Sequence, residues 1–559
     1  MGESSHERDP VDNRQFSRYI SDVARLFDIE RTVRTYCLHL GEEHADELRE
    51  LLVSVDRTLC RVLPPELSRR VDREGSTLER GPDGRLVVRR HPALQAALDE
   101  LCRLGLFRVF AAEEHGGFAL PLAIYYLAVQ LVSYHDTSLA LFFLVHGNAM
   151  YGIGRYGTPT QQARYLPRLA AGELIASVAF TEPTAGSDAG AIRTRARRDG
   201  DSWVLEGDKL WITNGGDADL LITTARTGPA ERGIEGVSAF ILEREADGVE
   251  VTGLEDKTGL AGSPTAALSY PGIRVPGDRL LGELDRGGRV MFAGVGMTRV
   301  NIGAQALGIA KRAFDAAAAF AGERRQGGCA IIEHDAVRQR LADMALTISA
   351  MEHLICRDSA LEHRGEWHVR EMSEAKYYCS EALQELTLRA INVHGGYGCS
   401  RDHVVERCRR EAVALPLYGG TSEIQWYIIA RELLERGKAD YRARDDALCA
   451  ELEAREARSD LARRVSAVKD QLWRLVERVA AMEDQAPFLR HLTELSTALA
   501  CAQVLLWQAS APDADALERE LAAVAVDRLE DRAAISVGRI GRGLDRRTLK
   551  ALVRERLEG

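Results

Sequence analysis

Phe180-Thr-Glu-Pro-Thr-Ala-Gly-Ser-Asp-Ala-Gly190 and, after a short gap, Gly207-Asp-Lys-Leu-Trp-Ile-Thr-Asn-Gly215 each read as a strand running into a loop. The first leaves the strand pattern Ile175 to Phe180 for a turn rich in Gly, Thr, Ser and Asp, where small residues let backbone N–H groups approach a ligand. The second places a broad aromatic face, Trp211, two residues before a hydroxyl, Thr213, and strand alternation sends both side chains to one face. That pairing suits a planar heteroaromatic ligand: one side chain packs on the ring and the other bonds a ring heteroatom.

Around these segments, from about Ser177 to Leu284, the apolar period is two. Trp203-Val-Leu-Glu, Leu220-Leu-Ile-Thr-Thr, Val237-Ser-Ala-Phe-Ile-Leu, Val249-Glu-Val and Ala266-Ala-Leu-Ser-Tyr are short strands between Gly, Asp and Pro turns, a small β domain. Helical patterns flank it. Upstream, Phe16, Tyr19, Ile20, Val23, Leu26 and Phe27 recur at three- and four-residue steps within a helical stretch from Asp12 to about Arg70. Val71 to Val88, with Gly75, Gly81 and Gly84, reads as a loop or linker, and helices resume at His91. Thr158 is a helix cap with Pro159 at the first helical position. Downstream, helical periodicity from Gly288 to about Arg436 predicts a bundle. Lys438 to Gly559 is again helical, with Leu461, Val465, Val468, Leu472 and Leu475 on one face, and reads as extra packing or an oligomer contact.

The chain has 559 residues, 45% of them apolar, enough for several packed layers. Its net charge of −11 is spread over interspersed signs, which argues against a nucleic-acid partner. Only seven of its 73 basic residues are lysine, a compositional bias without functional content. The ten cysteines are scattered, with no C-x-x-C pair and no cysteine–histidine cluster at metal spacing, so no metal is expected. Met1 to Asp12 lacks the apolar run of a signal peptide and no stretch approaches a transmembrane span; the expectation is a soluble, cytoplasmic chain.

The two opening segments closely resemble the flavin-contacting signatures of the acyl-CoA dehydrogenase family, in that family's order and spacing. Further stretches match it: Tyr165-Leu-Pro167 to Gly172-Glu173, Gly272-Ile-Arg-Val-Pro276 to Leu281-Gly-Glu283, Glu323-Arg-Arg-Gln326, Ala390-Ile-Asn-Val-His-Gly-Gly-Tyr-Gly398 and Tyr418-Gly-Gly-Thr-Ser-Glu-Ile-Gln425. The resemblance implies FAD. By it, Phe180 and Thr181 lie beside the isoalloxazine, Trp211 packs against it and Thr213 bonds its N5 edge. Arg324 and Gln326 belong to the segment that reaches the FAD pyrophosphate of a neighbouring subunit; Asn392, Gly395 and Gly396 belong to a turn that takes the same cofactor, and Thr421 and Glu423 lie near the flavin. For the substrate, Ser187 touches the thioester arm, Arg431 reaches the coenzyme A nucleotide, and Arg299 keeps its place on a third-domain helix, where a lone Arg otherwise reads as a surface or salt-bridge residue. The neighbour contacts imply a homodimer or homotetramer, and the electron acceptor is an electron-transfer flavoprotein or oxygen.

The family's reaction takes a proton from the α-carbon of an acyl thioester while hydride leaves the β-carbon. It needs a polarised carbonyl, a carboxylate base and a flavin flat against the Cα–Cβ bond. Here the usual base position is Gly419, and the alternative position of the isovaleryl and long-chain branches is Thr298. An unactivated hydroxyl is too weak a base near neutral pH, although the Gly419 N–H can still polarise a carbonyl. Gly327, Asn392 and Trp426 replace the family's Phe, Gln and Arg, and Gly296 replaces an acid that touches the coenzyme in the medium-chain branch, which leaves an acyl-carrier-protein thioester open. Glu182, Glu406 and Glu411 fall at positions with structural roles, and His394, in a Gly-rich turn, reads the same way; Tyr418 is the other titratable neighbour.

The expected fold is α+β, mainly α. Residues 1–90 form extra helices and a linker, 91–176 a helical N-terminal domain, 177–288 the β domain, 289–437 a helical bundle and 438–559 a helical C-terminal extension like that of the very-long-chain branch. The expected function is FAD-dependent acyl-thioester α,β-dehydrogenation with a non-standard or displaced base. Two alternatives stand beside it: a flavin monooxygenase on the same fold, and a catalytically silent subunit that binds flavin or thioester and pairs with an active paralogue.

Overall fold

The computed structural model describes residues 29–541 apart from 367, 436–437, 456–459, 483–484, 512–513 and 515. The predicted helix positions Phe16, Tyr19, Ile20, Val23, Leu26 and Phe27 lie outside the described residues. Three amphipathic helices open the described residues, α1 (Ile29–Leu40), α2 (Ala45–Val62) and α3 (Pro65–Glu74). The stretch after them is not a linker. Thr77–Arg80 (β1) and Leu86–Arg89 (β2) pair as an antiparallel hairpin with Thr77 opposite Arg89. Its turn is local chemistry: Gly84 adopts φ 82°, and the Gly81 N–H donates to the Arg85 carbonyl at 2.8 Å. Val88 is buried in the core of the β domain, with Leu78 and Leu86 packed beside it, so the hairpin clamps the N-terminal helices to the sheet.

Helices α4 (Pro92–Arg103), α5 (Leu122–His135), α6 (Thr137–Tyr156) and α7 (Pro159–Ala170) follow. α5 and α6 are apolar nearly all round and buried along nearly their whole length, as such helices must be. α7 starts at a capping box: the Gln161 N–H donates to Thr158 Oγ1 at 3.2 Å and the Thr158 N–H to Gln161 Oε1 at 2.9 Å.

The β domain holds β3 (Ala176–Ala179), β4 (Arg195–Asp199), β5 (Ser202–Thr213), β6 (Leu220–Arg226), β7 (Val237–Glu243), β8 (Glu250–Leu254), β9 (Thr265–Pro276) and β10 (Leu280–Leu281). The sheet runs β10-β7-β6-β4-β5-β9-β8, with β3 parallel to β6. β6 and β7 are buried on both faces up to their last residues, so neither alternates a buried with an exposed side.

The third unit is organised by one long helix, α8 (Gly287–Glu323). A short hairpin, β11 (Arg325–Gln326) and β12 (Cys329–Ala330), leads to α9 (Asp335–His363), α10 (Val369–His394), α11 (Val404–Ala412) and α12 (Ser422–Leu434). One hydrophobic core runs from the N-terminal helices through α8 to α11. The C-terminal extension, α13 (Lys438–Arg455), α14 (Asp460–Ala480), α15 (Leu489–Ala509) and α16 (Ala516–Gly541), builds a second core with α9, α10 and α12. Val465, Val468, Leu472 and Leu475 are buried in it. A buried bidentate pair seats this extension: Arg370 donates to Asp445 at 3.0 and 2.9 Å, and Trp473 Nε1 adds a bond to the same carboxylate at 3.2 Å. Arg34 of α1 pairs with Glu518 of α16, so the two ends of the described chain meet beside α9.

Candidate active site

The sheet contributes a bulge and a pinned loop. The β5–β9 register shifts between Lys209 and Ile212, and Trp211 takes φ 61°. At this bulge the indole is 53% exposed, Ile212 is buried and Thr213 is half-buried. The loop after β3 is tied to this bulge by Leu210 N–H to the Thr181 carbonyl at 3.0 Å and Lys209 Nζ to the Phe180 carbonyl at 3.3 Å. Ser177 Oγ donates to the Thr213 carbonyl at 2.5 Å.

Glu182 is consumed by this anchoring. It accepts from Lys209 Nζ at 2.8 Å and from the Arg193 and Thr194 N–H groups at 2.6 and 3.1 Å. Burial alone would raise its carboxyl, but Lys209 and the hydrogen bonds outweigh that and hold it below the ordinary range. Burial brings the Lys209 ammonium down to about 8 against the pull of Glu182. Ser187, farther along the loop, is exposed.

The bundle contributes a cavity of about 790 Å³ lined by Arg324, Gln326, Asn392, Gly395, Gly396 and Tyr397, with Phe320, His394 and His403 adding rings. Gly395 has φ 60°, and a Cβ on either Gly395 or Gly396 would meet nothing within 4 Å, so bare backbone faces open space. Among the described residues Arg324 makes no ion pair; its guanidinium rests 5.6 Å above the Tyr397 ring. His394 is buried, stacked on Phe320 at 4.4 Å, and its Nδ1 lies 2.9 Å from the Ala390 carbonyl; burial lowers its pKa. Five predicted cofactor residues thus line one cavity, whereas Phe180, Thr181, Trp211 and Thr213 lie on the sheet and do not line it. Thr421 and Glu423 stand at the start of α12, Thr421 as the N-cap residue.

The two residues expected at the base positions, Gly419 and Thr298, meet. A Cβ built on Gly419 would overlap Ile302 Cδ1 and lie 3.1 Å from Thr298 Cγ2, and Gly419 itself has φ 67°. Thr298 Oγ1 donates to the Gly294 carbonyl at 2.8 Å and accepts a bond from Asn148 Nδ2, so both its proton and a lone pair are engaged. Asn148 Oδ1 is buried without a partner. Among the described residues the Gly419 N–H makes no backbone hydrogen bond, while its carbonyl accepts from Gln425 Nε2 at 3.4 Å.

Arg299 is not a surface residue: it is 9% exposed, and burial lowers its pKa to about 10 against the opposing pull of Glu432. Its helix is packed on by α5, α6, α9, α10 and α11, leaving no solvent face there. Arg431 lies on α12 and bonds Glu435 at 2.9 Å. Glu411 is buried among Arg312, Arg407 and Thr137, Glu406 pairs with Arg410, and Tyr418 donates to Gln305 at 2.7 Å. Asn148 and Ile302 were not singled out by sequence reasoning. The only available signal was an amide within the apolar run of α6 and an Ile one helical turn beyond Thr298.

Three domain models of one family match the chain in order: acyl-CoA dehydrogenase N-terminal domain over residues 85–173, middle domain over 177–272 and C-terminal domain over 285–434. The chain belongs to the acyl-CoA dehydrogenase family. It is 38% identical to an acyl-CoA dehydrogenase of Bacillus subtilis (strain 168) over 59% of this chain and 87% of that one. Butyryl-CoA dehydrogenase from Megasphaera elsdenii superposes with TM-score 0.65 at 29% identity, covering 70% of this chain and 98% of that one. An acyl-CoA dehydrogenase from Bacillus anthracis, solved with FAD, shares the fold at TM-score 0.75 and 24% identity over 89% of each chain. Residues 29–84 and the extension from α13 onward fall outside the matched domains.

As in its family, the cofactor of this acyl-CoA dehydrogenase family member is FAD, and the residues present fit it. An uncommitted guanidinium beside open glycine backbone suits a pyrophosphate, the surrounding rings suit a planar base, and the outward indole of Trp211 offers a separate aromatic face.

Proposed function

We propose that this flavoprotein oxidises the Cα–Cβ bond of an acyl thioester by means of a base that stands at neither Gly419 nor Thr298. FAD, when bound, supplies the hydride acceptor. The chain's own part begins with the Gly419 N–H, which lies free to polarise a thioester carbonyl and so acidify the α-proton. Trp211 and the Phe180–Thr181 backbone offer a ring surface, held by the Glu182–Lys209 pair. Arg324, Gln326, Asn392 and the Gly395–Gly396 backbone hold the phosphate end, while Thr213, Thr421 and Glu423 are assigned to the flavin. Ser187 and Arg431 are assigned to the thioester arm and the coenzyme or carrier end, and Arg299 to electrostatic support behind them. Because the sheet contacts and the bundle cavity do not join within one chain, two copies complete each site, which supports a homodimer or homotetramer. The acceptor is an electron-transfer flavoprotein or oxygen and the setting the cytoplasm; among the described residues no helix is long and apolar enough to cross a membrane.

The observation that carries the displaced base is the Gly419–Thr298–Ile302 corner, where one position has no side chain, the second is hydrogen-bonded on both sides, and an isoleucine fills the space between. The same corner favours a second reading, a thioester-binding subunit or a flavin oxygenase that removes no α-proton. An anaerobic titration of the FAD-loaded protein with straight, branched and long acyl-CoA thioesters, and with an acyl-carrier-protein thioester, separates them. Flavin bleaching establishes the dehydrogenase. Unchanged absorbance across the whole panel removes it, and oxygen consumption with an external reductant or co-purification of a paralogue then decides between the remaining two.

A further inference from the structure

The sequence offers no cysteine–histidine pair at metal spacing, yet the fold assembles one. Asp56 and Cys60 lie four residues apart on one face of α2, and His135 is the last residue of α5, which packs against α2. His135 Nε2 stands 2.9 Å from Asp56 Oδ1, Cys60 Sγ stands 4.0 Å from the same oxygen, and one ligand atom from each of the three lies within 4.8 Å of the others.

We propose that Asp56, Cys60 and His135 form a zinc site with water in the fourth position. Thiolate, imidazole and carboxylate together select a borderline-soft ion of tetrahedral habit over calcium or magnesium, which take oxygen alone. Zinc bonds of about 2.0–2.3 Å place neighbouring ligand atoms roughly 3.5 Å apart. Side-chain rotation closes the remaining gap. Rigid elements hold the imidazole: the His135 carbonyl accepts from Ser68 Oγ at 3.3 Å and from Arg312 Nη1 at 3.5 Å, and the next residue, Asp136, caps α6 through the Leu139 N–H at 3.1 Å. His135 is mostly buried, whereas Cys60 is exposed and Asp56 partly so, which leaves the ion an entry path and a water-facing position. Cys60 binds as thiolate and gives its proton to solvent. α2, which carries Asp56 and Cys60, lies outside the matched family domains while His135 lies within one, so zinc there ties the N-terminal addition to α5.

The competing account is an Asp56–His135 ion pair with a thiol alongside it. Titration of the FAD-loaded protein with Co²⁺ distinguishes the two. One equivalent is expected to give a thiolate-to-cobalt charge-transfer band and tetrahedral d–d bands, displaced by one equivalent of Zn²⁺, absent in Cys60→Ser and weakened in His135→Asn. Zn²⁺ is also expected to raise the denaturation temperature of the wild type and not of Cys60→Ser, whose exposed substitution leaves the fold and flavin content unchanged. An unchanged spectrum at saturating Co²⁺, or bands retained in Cys60→Ser, overturns the site.

Discussion

The cavity around Gly395 and the corner around Gly419 belong to one helical unit and differ in what they leave open. The cavity keeps a guanidinium, an amide and bare glycine backbone around open space. The corner has no side chain at Gly419, and Ile302 fills the space a Cβ there would take. Holding a dinucleotide depends on backbone shape and a cation, spread over several residues. Proton removal depends on one positioned side chain, so that role can stand elsewhere without disturbing the cavity. The difference teaches that binding and chemistry are separable here, and that placing a carboxylate at Gly419 takes more than one substitution.

The largest effect expected follows from that. Gly419→Glu alone should not speed flavin reduction beyond the wild-type rate and should lose about 1–3 kcal/mol of stability, from a left-handed backbone position and overlap with Ile302. Gly419→Glu combined with Ile302→Ala makes room, and a positioned general base is worth about 10²–10⁴-fold in rate. Stopped-flow flavin reduction by acyl-CoA reads the difference; equal rates in the single and double variants would break the claim that Ile302 guards the corner.

Next comes the anchor of the sheet-side loop. Glu182→Gln leaves the Lys209 ammonium buried without its counter-charge and should cost about 3–5 kcal/mol, seen as a lower urea midpoint. Adding Lys209→Met should recover much of it, because the pair is then replaced rather than broken. A smaller effect is expected in the cavity: Arg324→Ala should weaken FAD about 10–100-fold, the loss of one charge-assisted contact, measured by flavin fluorescence on dilution. Asn148→Leu, placed at the corner, should leave FAD affinity unchanged. A fall in both would mean that the two regions are coupled, contrary to the comparison.

Local features were legible in the sequence and tertiary ones were not. The β-domain strands, the Thr158 cap and the apolar face of α14 are written in neighbouring residues, and the flavin segments in short motifs. The β1–β2 hairpin was missed because two four-residue strands around Asp83-Gly84 carry little pattern of their own. The bulge at Trp211 is a backbone dihedral, invisible in a composition of alternating side chains. The alternative reading of Arg299 as a surface or salt-bridge residue assumes that its helix has a solvent face, and α8 is enclosed by its neighbours there. Asn148 meeting Thr298, Ile302 filling the space at Gly419 and Cys60 approaching His135 are contacts between distant segments that no spacing rule encodes.

The smallest effect asks whether a carboxyl elsewhere has taken over the lost role. Glu362, in the last turn of α9, accepts from the Tyr126 hydroxyl at 3.4 Å and faces Tyr151 and Arg155. Those two residues share a face of α6 with Asn148. Burial raises the Glu362 carboxyl to about 7, more than Tyr126 and Arg155 lower it. The folded state therefore keeps a proton that the unfolded chain, titrating near 4.5, has already lost. Stability should fall as pH rises from about 4.5 to about 7 and level off above that. Glu362→Gln stays neutral throughout, so it should remove this slope and make the protein about 1–3 kcal/mol more stable than wild type at pH 8, read from urea midpoints at pH 5 and pH 8. If Glu362 is only a buried structural acid, acyl-thioester bleaching of the flavin survives the substitution. Lost bleaching with intact flavin binding would instead move the displaced base to α9, and the corner at Gly419 would then have been emptied because another helix supplied the carboxylate.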